Sequence, residues 1–361
     1  MPHLELASVS KSFKANKVLE DISLSAQAGE IVVIFGPSGT GKTVLLRLIA
    51  GVEEPTAGAI RIDDQDMADV APEHRDVGMA FQNFALFPHL DAFENIASPL
   101  RARAQSETQV KDGVARVAKL LKIDHVLGHQ PRQLSNGQKQ RTALARALAS
   151  SPKLLLLDDP LRNVDAKLRF EMRLELPRLL RQAKSTVLYV TQDYKEAMAL
   201  ADRIAVLAHG SFVQVATPED IYRNPATVGV ARLFGDPTIN LAETAIADDG
   251  SLELAGARVT VDPAYKAWAG KTVTFGVRPE AVTVRHDEGT GLTAQVMAVT
   301  PLNERTVLLL QTASGAELLA SLPSSSSAIP KAESEVRIAF DPKGAHLFDR
   351  ETGAALRGGR T

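Results

Sequence analysis

Apolar runs alternate with amphipathic stretches along roughly the first 235 residues of the chain. Strands that alternate with helices in this way predict a parallel sheet covered by helices on both faces. The sequence therefore predicts an α/β core. The runs are IVVIF (31–35), TVLLRLIAG (43–51), VGMAF (77–81), KLLLLD (153–158), STVLYVT (185–191) and DRIAVL (202–207).

Two stretches do not follow this alternation of apolar runs and amphipathic stretches. Residues 86 to about 150 are charged and amphipathic, and VKDGVARVAKLLK (110–122) has the apolar spacing of an α-helix, so we predict a helical insertion there. After FGDPTINL (234–241) short alternating runs are punctuated by Gly, Pro and Asp, which is typical of β-structure. The expected organisation is one domain over 1–235, with a helical subdomain at about 86–150, and a β-rich domain over 236–361.

Composition limits the function classes. A chain of 361 residues exceeds what one core usually supports, which agrees with two domains. The 41 basic and 43 acidic residues nearly cancel, so we expect no nucleic-acid partner and only local binding of any nucleotide. The absence of cysteine excludes disulfides and thiol nucleophiles and favours the cytosol. No run approaches the ~20 apolar residues of a membrane span, and the first residues lack the apolar core of a secretory signal.

A phosphate-binding pattern follows the first buried run, between a predicted strand and a predicted helix. Its glycines allow backbone N–H groups to surround a β-phosphate, and the helix start adds positive potential. Lys42 is expected to reach the β- and γ-phosphates, and the Thr43 hydroxyl to bind Mg²⁺. The pattern is Gly36, Pro37, Ser38, Gly39, Thr40, Gly41, Lys42 and Thr43.

Two consecutive carboxylates end a later apolar run. Asp158 follows four leucines at the edge where an α/β sheet presents residues to ligands, and we expect it to help hold Mg²⁺. Asp159 is placed to orient an attacking water or to accept its proton. A plain strand end and a helix cap are the alternatives for these two residues.

A third motif precedes a helical run, TALARALAS. Ser135, Asn136, Gly137 and Gln138 leave the first-turn N–H groups of that helix available to an anion. A simple helix cap has the same pattern.

On these motifs the chain resembles the ATP-binding subunit of an ATP-binding cassette (ABC) transporter, and most closely the ATPases of bacterial sugar and polyol importers of the maltose and glycerol-3-phosphate type. The similarity covers nearly the whole length, and FGVRPE (275–280) lies where the appended regulatory domain of such importers has a similar string. The resemblance implies a P-loop NTPase (RecA-like) core with a helical subdomain, followed by an OB-like β-barrel.

The resemblance also implies roles, cofactors and partners. The cofactors are ATP and Mg²⁺, and the functional unit is a dimer with two ATP molecules between the phosphate loop of one chain and residues 135–138 of the other. Phe13 is expected to stack on adenine. Gln82 is expected to contact Mg²⁺ and water and to relay to the membrane subunits. Asp165 is expected in the loop that crosses the dimer.

Three residues depart from the family pattern. Asp159 stands where Glu is usual, which holds the carboxylate ~1.5 Å further back, and a misplacement of ~1 Å can cost about 10²-fold in rate. Gln192 replaces the usual His, so it can donate a hydrogen bond to the γ-phosphate but cannot titrate. Asn136 replaces a Gly. We therefore expect a site that binds Mg-ATP and hydrolyses it slowly.

The implied setting is the cytoplasmic face of the inner membrane. Expected partners are a second ATP-binding subunit, two membrane-spanning permease subunits and, indirectly, a periplasmic solute-binding protein. A related ATPase is favoured over an identical copy, since another site would then supply turnover. Residues Gln82–Asn95, with Phe84 and Phe87, are expected to contact the permeases. The expected solute is a sugar, a polyol or a glycerol-phosphate-like compound.

Two other functions and the C-terminal domain stay open. One alternative is a regulatory subunit that binds nucleotide without hydrolysing it. A soluble cassette ATPase of DNA repair or translation is disfavoured, because the sequence has no long coiled-coil insertion, second cassette or basic stretch. For the C-terminal domain a dimer-stabilising role is favoured over binding of a small ligand or a signalling protein.

Overall fold

The structure is a computed structural model, and it describes residues 3–162, 164–254, 256–285, 291–326 and 329–356. The chain divides into two compact units, 1–218 and 219–361. The strands of the first unit are β1 (Leu4–Phe13), β2 (Asn16–Ala26), β3 (Ile31–Phe35), β4 (Ala57–Ile62), β5 (Gln65–Asp66), β6 (Val77–Ala80), β7 (Leu154–Asp158), β8 (Thr186–Thr191), β9 (Arg203–Ala208) and β10 (Ser211–Ala216). Its helices are α1 (Lys42–Ala50), α2 (Ala92–Ala102), α3 (Glu107–Leu120), α4 (Asn136–Ala149), α5 (Ala166–Ala183) and α6 (Tyr194–Leu200).

A six-stranded sheet forms the centre of the first unit, in the order β10-β9-β3-β8-β7-β6. All neighbours are parallel except β10, which runs antiparallel to β9. Every residue of β3, β7 and β8 is buried, which explains why these strands read as continuous apolar runs in the sequence. The predicted α/β core is confirmed.

A second, antiparallel sheet in the order β2-β1-β4-β5 was not predicted. Its strands alternate poorly in the sequence because the pairing of β1 with β2 shifts register at three places. Such irregularities disturb the two-residue period on which strand prediction depends. Leu4, Leu6, Leu19 and Ile22 nevertheless share one core with Leu45 of α1, so this sheet packs on the helix that follows the phosphate-binding pattern.

Helices α2, α3 and α4 occupy the region predicted as a helical insertion. A capping box starts α3, where the Ser106 side chain accepts from the backbone N–H of Gln109 and the Gln109 side chain accepts from that of Ser106. Val110, Val114 and Val117 are fully buried on one face of α3. The helical period read from the sequence is therefore the buried face of this helix.

The second unit is mainly β-structure. Its helices are α7 (Pro218–Arg223), which begins at the last residue of the first unit, and α8 (Val228–Leu233). Its strands are β11 (Asn240–Ala245), β12 (Leu252–Leu254), β13 (Ala257–Val259), β14 (Thr272–Val277), β15 (Val282–Arg285), β16 (Leu292–Leu302), β17 (Arg305–Thr312), β18 (Glu317–Pro323), β19 (Glu335–Phe340) and β20 (Ala345–Asp349). They form sheets in the orders β11-β14-β20, β12-β13 and β15-β19-β16-β17-β18 around one apolar core.

The two units divide at 218, earlier than the boundary expected at 235. The reason is that the intervening segment packs on the strands of the second unit. Arg278, which follows β14, donates to the backbone carbonyl of Tyr222 from Nη2 at 2.6 Å and also to the carbonyl of Phe234. Ala231 of α8 shares a small apolar cluster with Phe348.

Within the described ranges, no helix is both long enough and apolar enough to cross a membrane.

A buried arginine fixes the end of α1. Arg75 is 8% exposed and donates to the carbonyls of Leu48 at 3.1 Å, Ile49 at 3.0 Å and Met67 at 2.7 Å. Two of these carbonyls belong to the last turn of α1, where backbone acceptors have no partner within the helix. Gly51 makes room for the guanidinium, since a Cβ there would lie 2.6 Å from Arg75 Nε.

We expect Arg75→Met to lower the free energy of unfolding of the first unit by roughly 3 kcal/mol, because the carbonyls of Ile49 and Val70 lose the guanidinium as donor and those of Leu48 and Met67 keep only a backbone N–H. Differential scanning calorimetry measures the transition of this unit. Arg61→Met is the matched control, since Arg61 is exposed and its ion pair with Glu5 lies on the surface. Equal effects of the two substitutions would contradict the proposed role of Arg75.

A buried carboxyl joins α6 to β8. Glu196 is 1% exposed, and its Oε2 accepts from the hydroxyls of Tyr189 at 2.9 Å and Thr191 at 3.0 Å. Burial raises the pKa of Glu196 to about 7, against the two hydrogen bonds that lower it. Since this pKa is raised on folding, the carboxyl contributes most to stability at low pH, and the contribution is lost as pH rises through about 7.

Glu196→Gln keeps an oxygen acceptor and removes the ionisation. The free energy of unfolding of the variant minus that of the wild type should therefore increase by about 2 to 3 kcal/mol between about pH 5 and pH 9. Urea unfolding at each pH measures the difference. Glu171→Gln, on the exposed surface of α5, should show no such trend. A constant difference for Glu196→Gln would mean that the carboxyl does not titrate in this range.

Candidate nucleotide-binding site

The phosphate-binding pattern forms the loop between β3 and α1, and two of its glycines are required by space or conformation. A Cβ at Gly36 would lie 2.3 Å from the carbonyl oxygen of Leu207 on the neighbouring strand β9. Gly41 caps α1 with φ 98°, and a Cβ there would lie 2.8 Å from a methyl group of Leu19. Larger residues would push the loop away from the sheet, so these glycines allow the loop to lie close to its neighbours.

The ammonium group of Lys42 lies against the inside of this loop. Its Nζ donates to the carbonyls of Gly36 and Pro37, both at 2.7 Å. Burial lowers the pKa of Lys42, and the nearby carboxylates of Asp159 and Asp158 oppose that effect. The loop therefore holds a partly desolvated positive charge, which strengthens its attraction for phosphate.

The side chain of Thr43, in the first turn of α1, contacts that of Asp158, the last residue of β7. The Thr43 hydroxyl donates to Asp158 Oδ1 at 3.1 Å, and Asp158 is 4% exposed. Burial raises the pKa of Asp158, while the hydrogen bond from Thr43 lowers it. Gln82 lies in the same cavity. These are oxygen donors next to a desolvated carboxyl, the donor set that Mg²⁺ prefers.

The described residues include no cluster of three or more His, Cys, Asp or Glu side chains arranged to hold a metal. Mg²⁺ does not need one, because it usually keeps several waters and takes only one or two protein oxygens beside those of a nucleotide. Thr43, Asp158 and Gln82 therefore fit Mg²⁺ that arrives with a phosphate ligand.

Asp159 and Gln192 are joined to each other and to the loop. Gln192 Nε2 donates to Asp159 Oδ2 at 3.4 Å, and the Ser38 hydroxyl donates to Gln192 Oε1 at 3.0 Å. Asp159 is 8% exposed and has φ 44°, a left-handed conformation that is uncommon outside glycine. Its N–H donates to the carbonyl of Val190 on β8, which fixes the residue against the next strand.

Burial raises the pKa of Asp159, and the charge of Arg162 is the main influence that lowers it. The carboxyl therefore lies in a site with little water, where neighbouring charges have large effects.

One cavity of about 240 Å³ is bounded by these side chains. It brings together predicted residues that lie up to 154 positions apart, Ser38 and Gln192 being the most distant pair. Sequence reasoning did not include Arg162 or the apolar residues Val18, Val44 and Val190. A basic residue three positions after Asp159 was the available signal for Arg162. The lining residues are Val18, Ser38, Gly39, Gly41, Lys42, Thr43, Val44, Gln82, Asp158, Asp159, Arg162, Val190 and Gln192.

Gly36, Pro37 and Thr40 of the phosphate loop do not line this cavity, and three further predicted groups also lie outside the lining. The ring of Phe13 is 42% exposed at the end of β1, with Lys11 Nζ 4.8 Å from its centroid. Asp165 is exposed directly before α5. Ser135 caps α4, and its hydroxyl accepts from the N–H of Gln138 at 3.3 Å.

The rest of the 135–138 motif completes that cap. Gln138 Oε1 accepts from the N–H of Ser135 at 2.9 Å, so the two side chains form a reciprocal capping box. Asn136 is exposed and Gly137 is buried. The motif thus has the geometry of a helix cap, and its exposed start lies away from the phosphate loop cavity.

Three protein families match parts of the chain. Residues 19–162 match the family described as ABC transporter, residues 235–282 match the MalK OB fold domain, and residues 275–348 match the TOBE domain. These matches confirm the expected P-loop fold and the expected OB-like C-terminal domain.

Curated relatives match over almost the whole chain. The sn-glycerol-3-phosphate import ATP-binding protein UgpC of Cereibacter sphaeroides is 41% identical over 356 residues, which cover 99% of this chain and 100% of the relative. The trehalose/maltose import ATP-binding protein MalK of Thermococcus litoralis is 38% identical over 374 residues, with 99% and 100% covered.

A solved structure is also similar. The dimeric, post-hydrolysis structure of the ATP-binding cassette MJ0796 bound to ADP and Pi has a TM-score of 0.55 and 32% sequence identity, covering 60% of this chain and 98% of that one. Together with the phosphate loop and the buried Asp158, these similarities identify the chain as an ATP-binding protein with ATPase chemistry. The chain belongs to the family of ABC transporter ATP-binding subunits of the importer type, which are ATPases coupled to transport.

Proposed function

We propose that this protein energises a bacterial ABC importer from the cytoplasmic face of the inner membrane, for a sugar, a polyol or a glycerol-phosphate-like solute. The observation that carries the proposal is the single cavity in which Lys42, the Thr43–Asp158 pair and the Asp159–Gln192–Ser38 chain converge. The solute class follows from relatives named for import of sn-glycerol-3-phosphate and of trehalose and maltose.

ATP and Mg²⁺ are the proposed ligands of this cavity. Lys42 and the loop amides would bind the β- and γ-phosphates, and Phe13 would stack on the adenine. Thr43, Asp158 and Gln82 would hold Mg²⁺, which when bound neutralises charge on the phosphate oxygens. Asp159 would orient the attacking water, with Gln192 donating to the γ-phosphate.

We propose that the working unit is a dimer with two nucleotides at its interface. Ser135–Gln138 and Asp165 do not line the cavity that holds the phosphate loop, and Ser135, Asn136 and Asp165 are exposed, which supports a role toward a nucleotide on another chain. At the start of the 14-residue helix α4 the capping box occupies the N–H of Gln138, and the N–H groups of Asn136 and Gly137 would serve the γ-phosphate of a nucleotide on the other chain. The solved ABC cassette that resembles this chain is dimeric.

The C-terminal unit is proposed as a dimer-stabilising module. Met297 and Leu302 of β16 are 46% and 43% exposed, which is apolar surface available for a partner chain.

Slow hydrolysis is proposed for the site on this chain. The Asp159 side chain is one methylene shorter than Glu, and its Oδ2 is tied to Gln192 Nε2. The amide oxygen of Gln192 accepts from Ser38 and its amide nitrogen donates to Asp159, so both ends of this uncharged side chain already have partners. Asp159 thus lacks the reach of a Glu, and Gln192 lacks the charge of a protonated His. A misplacement of ~1 Å can lower the rate about 10²-fold.

These features favour pairing with a related ATPase whose composite site provides turnover. In that complex, ATP binding closes the dimer and drives the permeases to their outward-facing state, and hydrolysis with product release resets them. The alternative is a regulatory subunit of the same complex that binds nucleotide without hydrolysing it.

The loop after β6 is the proposed contact with the two permease subunits. Asn95 holds this loop, since its Oδ1 accepts from the N–H of Phe87 and its Nδ2 donates to the carbonyl of Phe87. Arg146 donates to the carbonyls of Ala85 at 2.7 Å and Phe84 at 3.2 Å. Phe84 and Ala85 have φ of 58° and 50°, a strained conformation of the kind found at functional loops.

A groove of about 1010 Å³ lies beside this loop and would accept a permease segment. Phe81 and Phe87 line it and are 37% and 44% exposed. Exposed aromatic side chains rimmed by polar groups are typical of protein-binding surfaces. A periplasmic solute-binding protein would act on this subunit only through the permeases.

Turnover of Mg-ATP by the purified chain tests the slow site. The wild type is expected to hydrolyse slowly, and the double variant Asp159→Glu/Gln192→His should gain up to about 10²-fold, because it restores reach and charge. Each single variant should gain less. Colorimetric release of phosphate at saturating Mg-ATP measures the rates.

Lys42→Ala is the control, and it should abolish any turnover that belongs to this site. If the wild type already turns over at an ordinary rate that Lys42→Ala removes, Asp159 and Gln192 suffice, and a homodimeric importer ATPase is the better description. If the double variant binds ATP and stays silent, the regulatory alternative is favoured.

Phe87→Ala tests the permease contact. In the assembled transporter, we expect it to reduce solute-stimulated ATP hydrolysis and transport, while ATP affinity of the subunit is unchanged. Phe170→Ala is the matched control, since Phe170 is 59% exposed on α5 and does not line the groove. Unchanged transport by Phe87→Ala in proteoliposomes would contradict the assignment of this surface.

A further inference from the structure

Arg162 lies in the nucleotide cavity because of a tight turn that starts at Asp159. The N–H of Arg162 donates to the carbonyl of Asp159 at 3.2 Å, and Leu161 between them is 1% exposed and anchors the turn in the core. Both ends of this turn, Asp159 and Arg162, line the cavity. The Arg162 side chain therefore borders the same cavity as Lys42 and Gln192.

The guanidinium of Arg162 does not serve as a structural hydrogen-bond donor within the described part of the chain. Within the described ranges its one polar contact is Asp159 Oδ2, 3.8 Å from Nη1, which is beyond hydrogen-bond distance. The side chain is 46% exposed. Two neighbouring arginines differ, because Arg169 donates to backbone carbonyls of its own loop and Arg173 pairs with Asp193 at 3.1 Å. Arg162 thus keeps its N–H donors available to a ligand.

The charge balance of the cavity indicates what that ligand is. Lys42 and Arg162 are its two cations, and Asp158 and Asp159 are its two carboxylates. Lys42 already donates to two carbonyls of the loop, and Gln192 carries no charge. A nucleoside triphosphate adds several negative charges, which are greatest at its terminal phosphate. Arg162 is the cation that remains free to meet them.

We propose that Arg162 donates hydrogen bonds to the terminal phosphate of the ATP bound by the phosphate loop of the same chain. This inference rests on the proposed nucleotide site, and it adds a second cation to it. An arginine that acts from the same chain is a known solution for stabilising charge on a transferred phosphoryl group. It acts beside Asp159 and Gln192, where the site otherwise has the least positive charge.

The proposal separates triphosphate from diphosphate binding. Arg162→Gln should weaken the affinity for the β,γ-imido analogue of ATP by about tenfold, the effect of losing one charge-assisted hydrogen bond at a half-exposed site. The affinity for ADP should be unchanged, because the terminal phosphate is absent. Arg162→Lys, which keeps the charge and loses the planar fork, should fall between the two. Isothermal titration calorimetry of the full chain with Mg²⁺ measures all these affinities.

Two controls make the result specific. Arg181→Gln removes an equal charge from an exposed pair with Asp202 and should change neither affinity. Lys42→Ala should weaken both nucleotides. If Lys42→Ala has no effect, the proposed nucleotide site is wrong, whereas a normal Lys42 effect together with wild-type affinity of Arg162→Gln for the ATP analogue overturns only the role of Arg162.

Light scattering distinguishes a role at the dimer interface. If Arg162→Gln reduces dimerisation induced by the ATP analogue while leaving nucleotide affinity unchanged, Arg162 serves the partner chain and the proposal fails. If affinity for the analogue falls and ADP affinity does not, the terminal-phosphate contact is supported whether or not the chain hydrolyses ATP.

Discussion

Parallel pairing of β3, β8 and β7 is the constraint on which the nucleotide site depends. The three strands are buried along their whole length, and each of them ends at the same edge of the sheet. That edge brings Ser38 within 3.0 Å of Gln192 and Thr43 within 3.1 Å of Asp158. Because these residues end or follow the strands, a one-residue slip in register would displace them along the strand direction by about 3.3 Å and break both contacts.

The electrostatics of the site follow from the same burial. Carboxyl groups placed at the end of buried strands lose water, and this raises the pKa of both Asp158 and Asp159. The same loss of water lowers the pKa of Lys42. Each charged group is thus unfavourable alone and is stabilised by its neighbours. A triphosphate with Mg²⁺ brings charges of both signs into such a site, so the cavity favours the ligand that completes its balance.

The contiguous parts of the site could be predicted from the sequence, and the parts formed through space could not. The phosphate loop and the Asp158–Asp159 pair are short strings whose spacing has a direct structural meaning. The cavity position of Arg162 depends on a turn, and the left-handed φ of Asp159 depends on the backbone bond from its N–H to Val190. No periodicity in the sequence encodes either feature.

The same distinction holds for the fold. Buried parallel strands gave clear apolar runs, whereas the irregular register of β1 against β2 concealed an entire antiparallel sheet. The carbonyl partners of Arg75 lie 5 to 27 positions away in the chain, so sequence alone gave no reason to bury that arginine.

The division between the two units at residue 218 affects how the C-terminal unit could be exchanged between related proteins. Segments 219–235 belong with the C-terminal strands, since Arg278 donates to the carbonyls of Tyr222 and Phe234. A chimaera joined at residue 235 would give the transplanted barrel foreign helices and leave that buried guanidinium to find new acceptors. An engineered exchange of the C-terminal unit should therefore place its junction near residue 218, so that α7 and α8 stay with Arg278.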